Sequence, residues 1–204
     1  MAGSRPRRPG PFGGGGEDRR KAVSLDHRDA RGYREVALCN LYRRRWDDAI
    51  ANFSEAERLG PQHADLISDF GDALGHGGEP ERGLEKVERA MKLNPIPPDQ
   101  YWWNAAGLHF QLHDYKAAIA AIDRMSDPLP ALRIAAASWA YLGDRAQARK
   151  CAAKFLRSYP DFRIEHWLKI VPNRNPDDRA TTISGCATPA SSEPLTGVVA
   201  VTPV

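Results

Sequence analysis

Between residues 30 and 160, small and apolar positions recur at fixed offsets. Ala37, Gly71, Ala106 and Ala136 are each followed twelve residues later by a second small residue: Ala49, Gly83, Ala118 and Ala148. Twelve residues further on comes a proline each time: Pro61, Pro95, Pro130 and Pro160. Four residues after the second small position stand Phe53, Val87, Ile122 and Ala152, and seven after it Ala56, Ala90, Met125 and Phe155. Offsets of four and seven put these side chains on one face of a helix. A small residue on each of two helices lets their axes approach where they cross. Proline, with a fixed φ and no N–H, ends the second helix and redirects the chain. Turn residues separate the helices of each pair at Arg44-Arg45-Trp46, Gly78-Glu79-Pro80, His113-Asp114-Tyr115 and Gly143-Asp144-Arg145. The pattern predicts four pairs of antiparallel helices.

The pairs are spaced 34, 35 and 30 residues apart. The short step places a lost turn in the third pair, whose second helix is expected to end near Ser126, before Asp127-Pro128-Leu129-Pro130. Losing about one turn keeps the facing stripe intact. Upstream, Ala22, Leu25 and His27 lie 34 residues before Ala56, Leu59 and Pro61, so these residues are expected to be the tail of a preceding unit. After Pro160, residues 161–168 have helical spacing and are expected to cap the last pair.

Gly71 with Leu74, Gly78, Gly83, Ala90 and Pro95 resembles a tetratricopeptide repeat, as do Asp114-Tyr115, Ala118 and Gly143-Asp144 in the later units. The resemblance covers roughly residues 22–160. It implies an all-α, right-handed superhelix with a concave face that binds partners. Gly83 departs from the family's alanine and is expected to soften its helix by about 1 kcal/mol. Met125 is a second departure, standing where the family prefers a smaller residue. Pro160-Asp161-Phe162, Trp167 and Asn175-Pro176, with Asn94-Pro95, Pro98 and Tyr101-Trp102-Trp103-Asn104, resemble the C-terminal repeat regions of bacterial adenylate cyclases. The expected organisation is a disordered basic arm (1–21), a repeat domain (22–170) and a disordered tail (171–204). Within the domain the units fall at about 30–61, 64–95, 99–128 and 129–160, with the cap at 161–170.

Charge adds one qualification. The first 34 residues carry nine Lys/Arg against four Asp/Glu; taking that +5 from the total of +3 leaves the rest near −2. The basic character lies in the arm, which opposes a nucleic-acid-binding body. Helical repeats that bind RNA one base per unit remain the alternative, opposed by the irregular steps. Three cysteines without short spacing suggest neither a disulfide framework nor a metal knot. Residues 1–21 lack a signal's apolar stretch, and the apolar run 195–204 is about half a membrane span. A cytoplasmic, monomeric protein without membrane contact is expected.

Chemistry is sparse. His109 and His113, four apart, have zinc-ligand spacing on one helix face, but Phe110-Gln111-Leu112 supplies no glutamate and no third ligand is near. A metal-dependent enzyme is therefore the least favoured reading. Gly13–Gly16 follows no strand and precedes no Gly-Lys-Ser/Thr, so no phosphate loop or cofactor is expected. The resemblance implies instead a non-catalytic scaffold or adaptor with a groove for a peptide or helix, in its narrower form the regulatory arm of a cyclase. Its lining is then Arg34, Leu38, Asp69, Asp72, Trp103, Asn104, Arg133 and Tyr141. Of the two adjacent tryptophans it implies Trp102 in the core and Trp103 toward the groove.

Overall fold

The computed structural model describes residues 28–175. The basic arm, the upstream partial unit at Ala22, Leu25 and His27, Cys186 and the tail from residue 176 lie outside the described residues. Within them run nine α-helices: α1 (Ala30–Tyr42), α2 (Trp46–Leu59), α3 (Ala64–His76), α4 (Pro80–Leu93), α5 (Asp99–Gln111), α6 (Tyr115–Ile122), α7 (Leu132–Tyr141), α8 (Arg145–Ser158) and α9 (Ile164–Ile170). Helices α1 to α8 pack as four successive pairs, and each first helix also packs on the next first helix. Stacking of that kind puts α1, α3, α5 and α7 along one inner face.

Local chemistry sets the boundaries. Carboxylates of Asp29, Asp114 and Asp144 accept amide hydrogens of the first turns of α1, α6 and α8, and Pro80 opens α4. Each accepts from a donor that the helix itself leaves unpaired. The turns inside the pairs share one backbone device. Arg44 (φ 59°), Gly78 (φ 93°), His113 (φ 60°) and Gly143 (φ 84°) all hold the left-handed conformation. Their spacing repeats the 34, 35 and 30 of the sequence pattern. Only two of the four are glycine, the residue that adopts this conformation without cost.

The small residues are the helix crossings. Ala37, Ala49, Ala106 and Ala118 are wholly buried. At the second crossing even a methyl is too large. A Cβ added at Gly71 would lie 2.6 Å from the Gly83 carbonyl oxygen, and one at Gly83 would lie 2.5 Å from that of Gly71. Gly83 is thus a requirement of backbone contact between α3 and α4, and the softening expected from it is the lesser effect. Between pairs the core continues through Phe53 stacked on Phe70, ring centres 5.4 Å apart. The pattern loosens at the last pair, where Ala148 is half-buried and Phe155 is the buried residue of α8. Among the described residues, no fifth pair follows to cover the far side of α8.

The third pair differs from expectation in where it shortens. Helix α6 ends at Ile122 rather than near Ser126, and Pro130 sits in a 3-10 turn, Leu129–Ala131, leading into α7. Asp99, at the start of α5, holds the connection: its carboxylate accepts from the amides of Ser126 and Asp127 and from the Ser126 hydroxyl, all at 2.8 Å. Those bonds keep the Asp99 carboxyl below its usual range, the Asp127 amide first. Met125 remains buried.

The ordered chain also continues past the expected end of the domain at 170. Val171, Pro172 and Asn173 are buried, because the segment after α9 turns back onto the first two pairs.

Candidate functional site

A cavity of about 360 Å³ opens on the inner face. Its wall comes from α3 (Asp72, His76), α5 (Trp103, Asn104, Gln111) and α7 (Arg133, Ile134), and it is closed on one side by Trp167 and the segment 170–173. With Tyr42 at the end of α1 also in the lining, first helices of all four pairs meet in one site.

The polar groups of α3 recur every three to four residues, which aligns them on one face. Asp65 accepts from the Tyr101 hydroxyl at 2.6 Å. Ser68 accepts from the buried Asn104 amide at 3.1 Å, while Gln100 donates to Asn104 at 2.8 Å. Asp69 pairs with Arg34, and Asp72 stands 3.6 Å from His76. Burial pushes the Asp69 carboxyl up to about 6, against the pull of Arg34; Asp72 and Asp65 push the same way as burial. Burial, and then Asp65, raise the Tyr101 phenol far above its usual range. Burial raises Tyr42 as well, with Asp72 and Asp69 adding to it. Gln111 Oε1, in the cavity wall, is buried and accepts no hydrogen bond from the described residues. A buried acceptor without a donor costs about 1–3 kcal/mol.

Of the residues expected to line a groove, Asp72, Trp103, Asn104 and Arg133 are in the cavity wall. Arg34 and Asp69 form the ion pair beside it. Leu38 packs against the core of the first pair. Tyr141 stacks on Tyr115 with ring centres 4.6 Å apart, beside Phe110, and lies outside the wall. Trp102 is not the core residue of its pair. Tyr101 is, at 1% exposed, whereas Trp102 is half-buried with the Arg124 guanidinium 5.8 Å from its ring. The register is one residue off because an aromatic run leaves three candidates for one inward position.

Sequence reasoning missed Tyr42, His76, Gln111 and the C-terminal segment. His76 and Gln111 end their helices, where a turn signal hides a side chain's direction. His109 and His113 do not share a helix face: α5 ends at Gln111, and His113 sits in the turn with Nδ1 2.9 Å from the Tyr115 hydroxyl. Among the described residues, no group of three or more His, Cys, Asp or Glu is placed to hold a metal ion. None of the described helices is long and apolar enough to cross a membrane.

Residues 68–131 match the tetratricopeptide repeat family. No curated protein sequence matches the chain. Among solved structures the fold is similar to MamA, with 17% identity, a TM-score of 0.58, and coverage of 74% of this chain and 90% of that one. It is similar to the pilF protein of Pseudomonas aeruginosa at 21% identity and a TM-score of 0.55, covering 72% and 68%. It is also similar to YrrB, described as a TPR protein with an unusual peptide-binding site, at 22% identity and a TM-score of 0.55, covering 70% and 75%. Residues 68–131 thus carry the tetratricopeptide repeat signature, within a helical-repeat superhelix of the kind those proteins share.

Proposed function

We propose that this protein is a non-catalytic scaffold that binds a peptide or helix of a partner protein in the inner-face cavity. The observation that carries the reading is the cavity itself, where first helices of three pairs present an indole, a guanidinium, a carboxylate and amides to one space. A few convergent polar groups in a largely apolar hollow suit recognition of a protein segment. The peptide-binding site of YrrB, a protein of similar fold, agrees with this use. Trp103 is the expected anchor, since an aromatic with an N–H donor supplies both area and direction. The narrower reading, a regulatory arm of a nucleotide cyclase, stands on the resemblance of the Trp102-Trp103 and Pro160–Pro176 stretches alone. Sequencing upstream of the coding region tests it.

The main reading is tested by comparing wild type with Trp103→Ala for capture of protein partners, with thermal melts of both. The expected result is loss of a specific captured band, equivalent to about tenfold or more in affinity, without loss of fold. An identical set of captured proteins from both would overturn the assignment of the cavity.

A further inference from the structure

The segment that closes the cavity is held as a receptor holds a peptide. One guanidinium nitrogen of Arg44 donates to the carbonyls of Lys169 (3.1 Å) and Val171 (3.2 Å). Trp46 Nε1 donates to the Pro172 carbonyl at 2.6 Å. The Arg174 amide donates to the His76 carbonyl at 2.8 Å. Four main-chain groups of one short stretch are thus met by groups far away in sequence, Arg44 and Val171 being 127 residues apart. Side chains add selectivity to these contacts. Pro172 is under 2% exposed, and Asn173 is buried with its Oδ1 against His76 Nδ1. The Arg174 guanidinium reaches Asp47 at 2.9 Å and lies 5.8 Å from the Trp46 ring centre. Main-chain bonds for affinity and side-chain contacts for selectivity are the pattern of peptide recognition by an extended segment.

The receiving side has a mark of its own. Arg44 holds the left-handed backbone conformation that glycine holds in the second and fourth pairs, and its side chain donates to two carbonyls of the segment. A bulky residue kept in such a conformation is a sign of a side chain in use.

We propose that Arg44, Trp46, Asp47 and His76 form a peptide site that the chain fills in cis with Val171–Arg174. Its external ligand is an extended peptide bearing an apolar residue, proline, an amide side chain and arginine in succession. The inference rests on the reading of the cavity as a partner site, because Val171, Pro172 and Asn173 also form its wall. A partner peptide of this class displaces the segment and widens the cavity in one event. The tethered copy has a high effective concentration, so the wild-type protein presents the site only fractionally and its apparent affinity is lowered by that fraction.

The test uses the full chain and a fluorescein-labelled peptide of residues 169–175, Lys-Ile-Val-Pro-Asn-Arg-Asn. Fluorescence anisotropy is expected to show the double variant Pro172→Gly/Arg174→Ala binding this peptide about tenfold or more tightly than wild type. Adding Asp47→Lys to the double variant is expected to remove the gain. The Trp46 indole N–H resonance should shift in the double variant and return toward its wild-type position when peptide is added. A folded double variant that binds no better than wild type, or an indole resonance that never moves, overturns the proposal. Should the double variant unfold, Arg174→Ala alone carries the same comparison, since that side chain is half exposed. Peptide binding with Trp103-independent capture sinks the cavity reading; Trp103-dependent capture without peptide binding sinks this one.

Discussion

Replacing Gly83 by alanine sets two physical effects against each other. Alanine is the better helix former, and propensity alone has the substitution stabilise α4 by about 1 kcal/mol. Packing acts in the other direction. The added Cβ would fall 2.5 Å from the Gly71 carbonyl oxygen, 2.7 Å from Leu108 Cδ2 and 3.3 Å from the Gly75 nitrogen. Leu108 is fully enclosed, and the carbonyl belongs to α3 and moves only with the helix. Carbon and carbonyl oxygen rest at roughly 3.3 Å or more, so α3 and α4 must part by several tenths of an ångström at least. Overfilling a packed core costs about 1–3 kcal/mol. The net expectation is a loss of about 1–2 kcal/mol, which for an array of this size lowers Tm by about 2–8 °C. Gly107 supplies the control: it lies inside α5, and a Cβ there meets nothing within 4 Å. Gly107→Ala is expected to gain about 0.5–1 kcal/mol from propensity alone. Urea melts of the two variants decide the matter. If both midpoints rise together, α3 and α4 do not touch at their backbones and the crossing geometry is refuted.

Three further outcomes are expected. His113→Gly should stabilise the protein by about 1 kcal/mol, since it relieves a left-handed backbone held by a side-chain-bearing residue in an exposed turn; an unchanged urea midpoint would contradict this. Asp69 has a folded pKa, about 6, above its unfolded value of 3.8, so its contribution is full at low pH and is lost as pH rises through 6. Wild type should therefore gain about 1 kcal/mol relative to Asp69→Asn on going from pH 7 to pH 5, and parallel stability curves would show that the carboxyl titrates elsewhere. Tyr101→Ala should cost about 3–5 kcal/mol and Trp102→Ala distinctly less, because only Tyr101 is fully enclosed; the reverse order in denaturant melts would restore Trp102 to the core.

The repeat is legible along the chain. Small residues at the crossings, prolines beyond the second helices and one turn per pair are local or periodic signals, and each is enforced within a few residues of where it is written. Ala37 with Ala49 and Ala106 with Ala118 needed no further information to be placed at the crossings. Direction within a helix was less legible where three aromatics are adjacent. Tyr101 took the inward place from Trp102 because its hydroxyl reaches Asp65 on α3, a partner 36 residues away. The site itself came into being only with the stacking of the pairs. Asp72, Trp103, Asn104 and Arg133 could be nominated from the first helices, but His76 and Gln111 converge with them only once three pairs have stacked. Val-Pro-Asn-Arg has the composition of a turn, with no periodicity to announce burial. It is ordered because stacking brings Arg44, Trp46, Asp47 and His76 within its reach, the nearest of them in sequence, His76, still 97 residues from Asn173. A contact between such distant segments leaves no local pattern to read.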